Sequence, residues 1–264
     1  MSSTVQDSTG MAYGRVPAGR GVDWWTQGFR NLFAPGMAGV WIGMVVVFIV
    51  IAIVAQVVPL VGSLAGAALS FVMTGGLMLA ARKSTAGTAP DFQDLFAGFG
   101  PRLGPLVIAG LLVWVASFVV GLLMVLFGVG GLMGSFGSAM GGMRGLSMSL
   151  GVGALAVLLV GLLLFIPISL AAWFAPALVM LRGIPPVEAL KASLAASWAN
   201  LGALTVYGLL FIVFSIVASI PFGLGWIVFL PVCFLSTYLA YVDLLGDAVP
   251  AVAGPSAGIS ANMS

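Results

Sequence analysis

Six apolar runs decide what this chain can become: Gly36 to Val58, Ser63 to Leu79, Leu103 to Leu126, Leu150 to Leu181, Leu201 to Ile220 and Trp226 to Leu245. Asp243 is the one charged side chain that falls inside any of them. A helix rises about 1.5 Å per residue, so the first run reaches about 35 Å and covers a hydrocarbon core about 30 Å thick with some tilt. The composition agrees. Of the 264 residues, 61% are hydrophobic and 6% charged, against about 25% charged in a soluble chain. Too few polar side chains exist to cover a water-facing surface, so lipid must be the solvent for most of the molecule.

The runs pair into three hairpins. Pro59-Leu60-Val61-Gly62 turns the first, a Gly/Met/Ser-rich stretch at 128–149 connects the second, and Pro221-Phe222-Gly223 turns the third. The fourth run is too long for one straight crossing. Pro167 is expected to kink it, and Trp173 to mark its membrane boundary. Gly39-xxx-Gly43 and Gly62-xxx-Gly66-xxx-Ser70 put small residues on single helix faces, the pattern that lets helices approach closely in lipid.

A short two-faced segment precedes each hairpin. In Asp23 to Phe33, with Asp23 as the expected N-cap, Trp25, Phe29, Leu32 and Phe33 share a side. In Asp91 to Phe99, Phe92, Leu95, Phe96 and Phe99 do so, with Asp91 as the cap. In Pro186 to Trp198 the face is Val187, Leu190, Leu194 and Trp198, and Glu188 and Lys191 stand at a pairing distance of i,i+3. These segments are too short to span and are expected to lie flat among the headgroups. Phe29-Arg30-Asn31-Leu32-Phe33-Ala34 aligns with Phe92-Gln93-Asp94-Leu95-Phe96-Ala97. The chain therefore reads as three parallel units, each an interfacial helix followed by two crossings.

The fold expected is an all-α polytopic membrane bundle: six transmembrane helices in three hairpins plus three short amphipathic interfacial helices. Residues 1–20 are expected to be a disordered leader, 21–247 a single membrane domain and 248–264 a disordered tail. Arg15, Arg20, Arg30, Arg82, Lys83, Arg102, Arg182 and Lys191 fall on one side of the zigzag, with Arg144 alone on the other. The positive-inside rule then places both termini in the cytoplasm of a cell whose inner membrane holds the protein.

Function is far less constrained. The chain has no histidine and one cysteine, Cys233, which removes internal disulfides, histidine acid–base chemistry and most zinc sites. The nine basic residues form no cluster of the kind a nucleic-acid partner needs. Met133, Met140, Met143 and Met148 are thioethers of the type that binds Cu(I), but a glycine-rich loop does not hold them together. Cys233 reads as a buried, inert thiol. Ser, Thr and Tyr within the spans read as interhelical hydrogen-bonding groups. Asp243 is expected at the cytoplasmic boundary, ion-paired with Arg82 or Arg182. Together with Arg182, Lys191, Trp25 and Phe29 it makes up a set of interfacial anchors. No cofactor is expected.

The segments Arg15-Val16-Pro17, Gly21-Val22-Asp23-Trp24-Trp25, Ala97-Gly98-Phe99, Trp173-Phe174-Ala175-Pro176 and Ala189-Leu190-Lys191-Ala192-Ser193 with Asn200 resemble an uncharacterised family of bacterial six-helix inner-membrane proteins. The resemblance covers about residues 14–245. More remotely, the layout is similar to the membrane domain fused to some glycerophosphodiester phosphodiesterases, whose catalytic domain this chain lacks. The resemblance implies a fold and a location, and no activity. The expected function is that of a non-enzymatic component interacting with the lipid bilayer, a membrane-protein partner or a second copy of itself. The alternative is a transporter or channel for a small or apolar solute.

Overall fold

The computed structural model of the chain describes the backbone of residues 4–6, 12–55, 57, 61–138 and 143–246, and the side chains of 13–55, 57, 62–128 and 155–246. Strands β1 (Thr4–Gln6) and β2 (Ala12–Gly14) pair antiparallel, Thr4 opposite Gly14. Then come α1 (Arg20–Leu32), α2 (Ala38–Ala55), α3 (Val61–Thr85), a 3-10 helix (Phe92–Phe99), α4 (Leu103–Ser138) and α5 (Met143–Ala177). The chain widens into one π-helical turn (Leu178–Arg182) and finishes with α6 (Pro186–Ala199), α7 (Leu201–Ser219) and α8 (Trp226–Leu245). Six helices, α2, α3, α4, α5 with its π turn, α7 and α8, are long and apolar enough to cross a membrane. The protein is thus an all-α polytopic bundle.

The second helix of each hairpin forms the centre. Helices α3, α5 and α8 touch one another, and Leu77, Phe174, Val232, Leu235 and Tyr241 on them are buried in the one hydrophobic core. Helix α2 lies against α3 and α8, and α4 lies against α3 and α5. The short segments close the arrangement in a ring. The 3-10 helix docks on α3, α6 docks on α5, and α1 docks on α8. Each segment therefore packs on the second crossing of the hairpin before it, with the first segment reaching round to the last hairpin. Helix α8 is held more extensively by α1 than by its own hairpin partner α7.

Small residues make these dockings possible. A Cβ added at Gly28 would stand 3.2 Å from the carbonyl oxygen of Val232 on α8, and one at Gly21 2.8 Å from the amide of Tyr207 on α7. On the 3-10 helix, a Cβ at Gly98 would run into the carbonyl of Val72, and one at Gly76 of α3 into the carbonyls of Asp94 and Leu95. Backbone meets backbone at both crossings, so dispersion contacts form that any side chain would block. Helix α6 turns Ala189, Ala192, Ser193, Ala196 and Ser197 to the bundle. The Ser193 hydroxyl sits astride one turn of α5, accepting from the Phe174 amide at 3.0 Å and donating to the Leu170 carbonyl at 2.7 Å.

Several expectations need correction. Residues 13–20 of the expected leader are tied down: Asn200 accepts from the Val16 amide and donates to the Gly14 carbonyl, both at 2.9 Å. Helix α1 starts at Arg20, so Asp23 lies in its first turn and is not the cap. Helix α6, expected flat among the headgroups, docks on α5 through its small-residue side and leaves Val187 and Trp198 of its large-residue face exposed. No Glu188–Lys191 ion pair forms, and both side chains are exposed. Gly39 has nothing near it, and Gly43 meets only the Phe92 ring. The expected loop at 128–149 is mostly helix, because α4 runs to Ser138 and α5 begins at Met143. Glycine marks a loop in water but is common in membrane helices. Helices α4 and α5 hold 36 and 35 residues, about 50 Å each and well beyond one hydrocarbon core.

Candidate interaction surface at the charged end

The zigzag brings the ends of α3, α5 and α8 and the starts of α4 and α7 to one end of the bundle, beside the three short segments. Every basic residue with a described side chain belongs to this end. Two of the eight neutralise the nearby carboxylates. Arg20 hydrogen-bonds Asp243 through Nε at 2.9 Å and through a second nitrogen, and it also meets Asp23 at 3.2 Å. The same Asp243 oxygen accepts from Trp24 Nε1 at 2.7 Å. The bond to Asp243 comes first among the causes that raise the Arg20 pKa above its already high ordinary value, so the guanidinium stays charged. Lys83 reaches Asp94 at 2.7 Å and Asp91 at 3.9 Å. Asp94 in turn accepts from the Asp91 amide at 2.9 Å, which closes the first turn of the 3-10 helix.

Other polar groups of this end serve the backbone. Arg182 donates to the Leu245 carbonyl at 3.0 Å, satisfying an orphan acceptor at the C-terminus of α8, where the helix dipole favours a cation. Gly183 follows at φ +68, and the Arg102 guanidinium lies over its Cα, with Cζ 2.6 Å from where a Cβ would be. Trp41 Nε1 donates to Ser84 Oγ at 2.9 Å.

Below this layer lies an aromatic stack. Trp25 is sandwiched between Tyr207, with ring centroids at 4.8 Å, and Phe229, at 5.4 Å, while its Nε1 donates to the Tyr207 carbonyl at 3.1 Å. Phe29 meets Phe214 edge-on at 5.5 Å. Trp25 is 2% exposed, so it anchors α1 to protein, where a helix lying flat on the membrane would give it to lipid. Phe33, expected on one side with Trp25, Phe29 and Leu32, is 65% exposed, whereas Trp24 and Gly28 are buried with Trp25 and Leu32.

The structure thus brings Asp243 together with Arg20 and Trp24; neither expected partner, Arg82 nor Arg182, forms an ion pair with it, and Arg182 bonds the Leu245 carbonyl two residues on. Lys191 is exposed and away from this group. Sequence reasoning missed Arg20, Trp24, Lys83, Asp94, Ser193 and Asn200 as organising residues. Arg20 is separated from Asp243 by 223 positions, and the only local signal was its spacing of three from Asp23. The methionines 133, 140, 143 and 148 lie outside the described side chains. Among the described residues no group of three or more His, Cys, Asp or Glu side chains gathers to hold a metal ion. A cleft of about 240 Å³ opens between α4 and α5, lined by Val120, Leu123, Met124, Phe127, Ala156, Val157, Val160 and Leu164.

No family model matches the chain, and no solved structure matches it. A probable inner membrane protein of Burkholderia thailandensis is 31% identical over 221 residues, which is 80% of this chain and 78% of the relative. The shared length takes in most of the bundle, and the chain belongs to the family of this bacterial inner membrane protein.

Proposed function

We propose that the protein is a non-catalytic inner-membrane component, both termini in the cytoplasm, that binds lipids or other membrane proteins through its charged end. The imbalance of charge at that end carries the reading. Arg20 and Lys83 are matched to Asp23, Asp91, Asp94 and Asp243, while Arg15, Arg30, Arg82, Arg102, Arg182 and Lys191 have no carboxylate within 4.0 Å among the described residues. Cations held at the cytoplasmic boundary attract anionic headgroups, each worth about 1 kcal/mol. The mutual contact of α3, α5 and α8 at the centre also favours binding at the surface over passage through the middle. The remoter kinship with the membrane domain of glycerophosphodiester phosphodiesterases is part of the same proposal.

Purification from native membranes, followed by lipid and protein analysis of what stays bound, tests it. A lipid class or membrane protein enriched over a control six-helix protein is the expected result. Repeated recovery with neither enriched overturns the reading, and so does orientation reporters at the termini placing both outside.

A further inference from the structure

We infer that Arg102 and Arg182, together with the outer face of the 3-10 helix, form a site for one anionic phospholipid. The inference rests on the binding reading above and assigns it a place and a ligand class. The Arg102 guanidinium lies over Gly183, the residue that follows Arg182 at the end of the π turn, so both arginines belong to one corner of the charged end. Both residues are exposed, and neither has a described carboxylate within 4.0 Å. The nearest acids of the 3-10 helix, Asp91 and Asp94, are occupied by Lys83. Arg182 spends Nη1 on the Leu245 carbonyl and keeps its other donors. Guanidinium forks match phosphate oxygens two at a time, so an unneutralised pair suits a phosphodiester.

The neighbouring surface selects a lipid over a free anion. The 3-10 helix turns Leu95 and Gly98 to α3 and leaves Phe92, Phe96 and Phe99 exposed at 44%, 40% and 45%. Their rings follow one another at centroid distances of 6.3 Å and 6.2 Å, and the row ends three residues before Arg102. Phosphate alone has no use for such a row. A phospholipid lays its chain along the rings and its phosphate at the arginines.

Native mass spectrometry of the intact protein, titrated with phosphatidylglycerol and with phosphatidylcholine of the same chains, reads this directly. Wild type should retain phosphatidylglycerol preferentially. R102Q should lower that retention roughly fivefold, the effect of one basic group near an anionic headgroup, with R102K recovering part and K191Q, at a cation outside the pair, lowering it clearly less. F96S, on the exposed row, should lower retention of the lipid without affecting the melting temperature. Retention unchanged in R102Q, or lowered equally by K191Q, overturns the site while leaving the broader binding reading standing. Full displacement by millimolar inorganic phosphate overturns the lipid assignment. Wild type that retains neither lipid overturns the site and the lipid half of the proposed function together.

Discussion

The docked segments and the far halves of α4 and α5 both carry rows of large apolar side chains, yet those side chains end in opposite environments. Trp24, Trp25, Leu32 and Leu95 are buried against crossings. Leu155, Leu158, Leu159, Leu162 and Leu163 are more than half exposed, and Leu163 reaches 72%. A large apolar side chain does not by itself choose between the two environments, because lipid tails are as apolar as leucine and give helices no reason to associate. Small residues at the crossings do separate them. Gly21, Gly28, Gly76 and Gly98 each lie within van der Waals range of another backbone, whereas Gly121 on α4 has open space around it. Polar groups add to the difference, since the charged end is laced by Arg20–Asp243, Lys83–Asp94 and Asn200, and the cleft between α4 and α5 is lined by apolar side chains.

Substitutions that swap the character of the two regions should break this contrast. The largest effect is expected for G98L, which forces the 3-10 helix off α3 and should cost about 3 kcal/mol or more, read as a lowered thermal midpoint in detergent. The same change at Gly121 should leave the midpoint within about 0.5 kcal/mol of wild type. Next comes D243N, which leaves Arg20 and Trp24 Nε1 with a weaker acceptor and should cost about 2 kcal/mol. A double-mutant cycle with R20Q should give a coupling above about 1 kcal/mol. S193A removes the hydroxyl that straddles α5 and should cost about 1 kcal/mol. The smallest effect is expected for L163A on the lipid-facing side of α5, within about 0.5 kcal/mol. If L163A proves as damaging as S193A, the far half of α5 is packed against something, and the contrast fails.

The number and order of crossings were legible because charge-free apolar runs are a direct consequence of membrane thickness. The expected bounds of α8, Trp226 to Leu245, match the helix. The buried faces were not legible. For α6 the periodicity of Val187, Leu190, Leu194 and Trp198 marked a large-residue face but carried no sign that the opposite side of alanine and serine packs on protein, because large apolar residues in a membrane protein can face lipid. The segments were expected flat on the membrane for the same reason. An amphipathic pattern reads alike whether its apolar side meets headgroups or another helix, and only the glycines of α1 and the 3-10 helix hinted at the second. Asp243 is expected from sequence to be ion-paired with Arg82 or Arg182 in the connections between crossings, and its pair is Arg20 of α1. Arg20 had been assigned to a leader with no structure to hold it.

The central claim is that the three short segments clamp the bundle, with α1 closing the ring on α8. Arg20→Cys and Asp243→Cys in a Cys233→Ser background test it most directly, because Arg20 Nε and Asp243 Oδ2 stand 2.9 Å apart across α1 and α8. The account predicts that a short bifunctional thiol reagent bridges the two cysteines in intact membranes. Two thiols that each take the reagent singly, with no bridge formed, would contradict it and return α1 to the membrane surface.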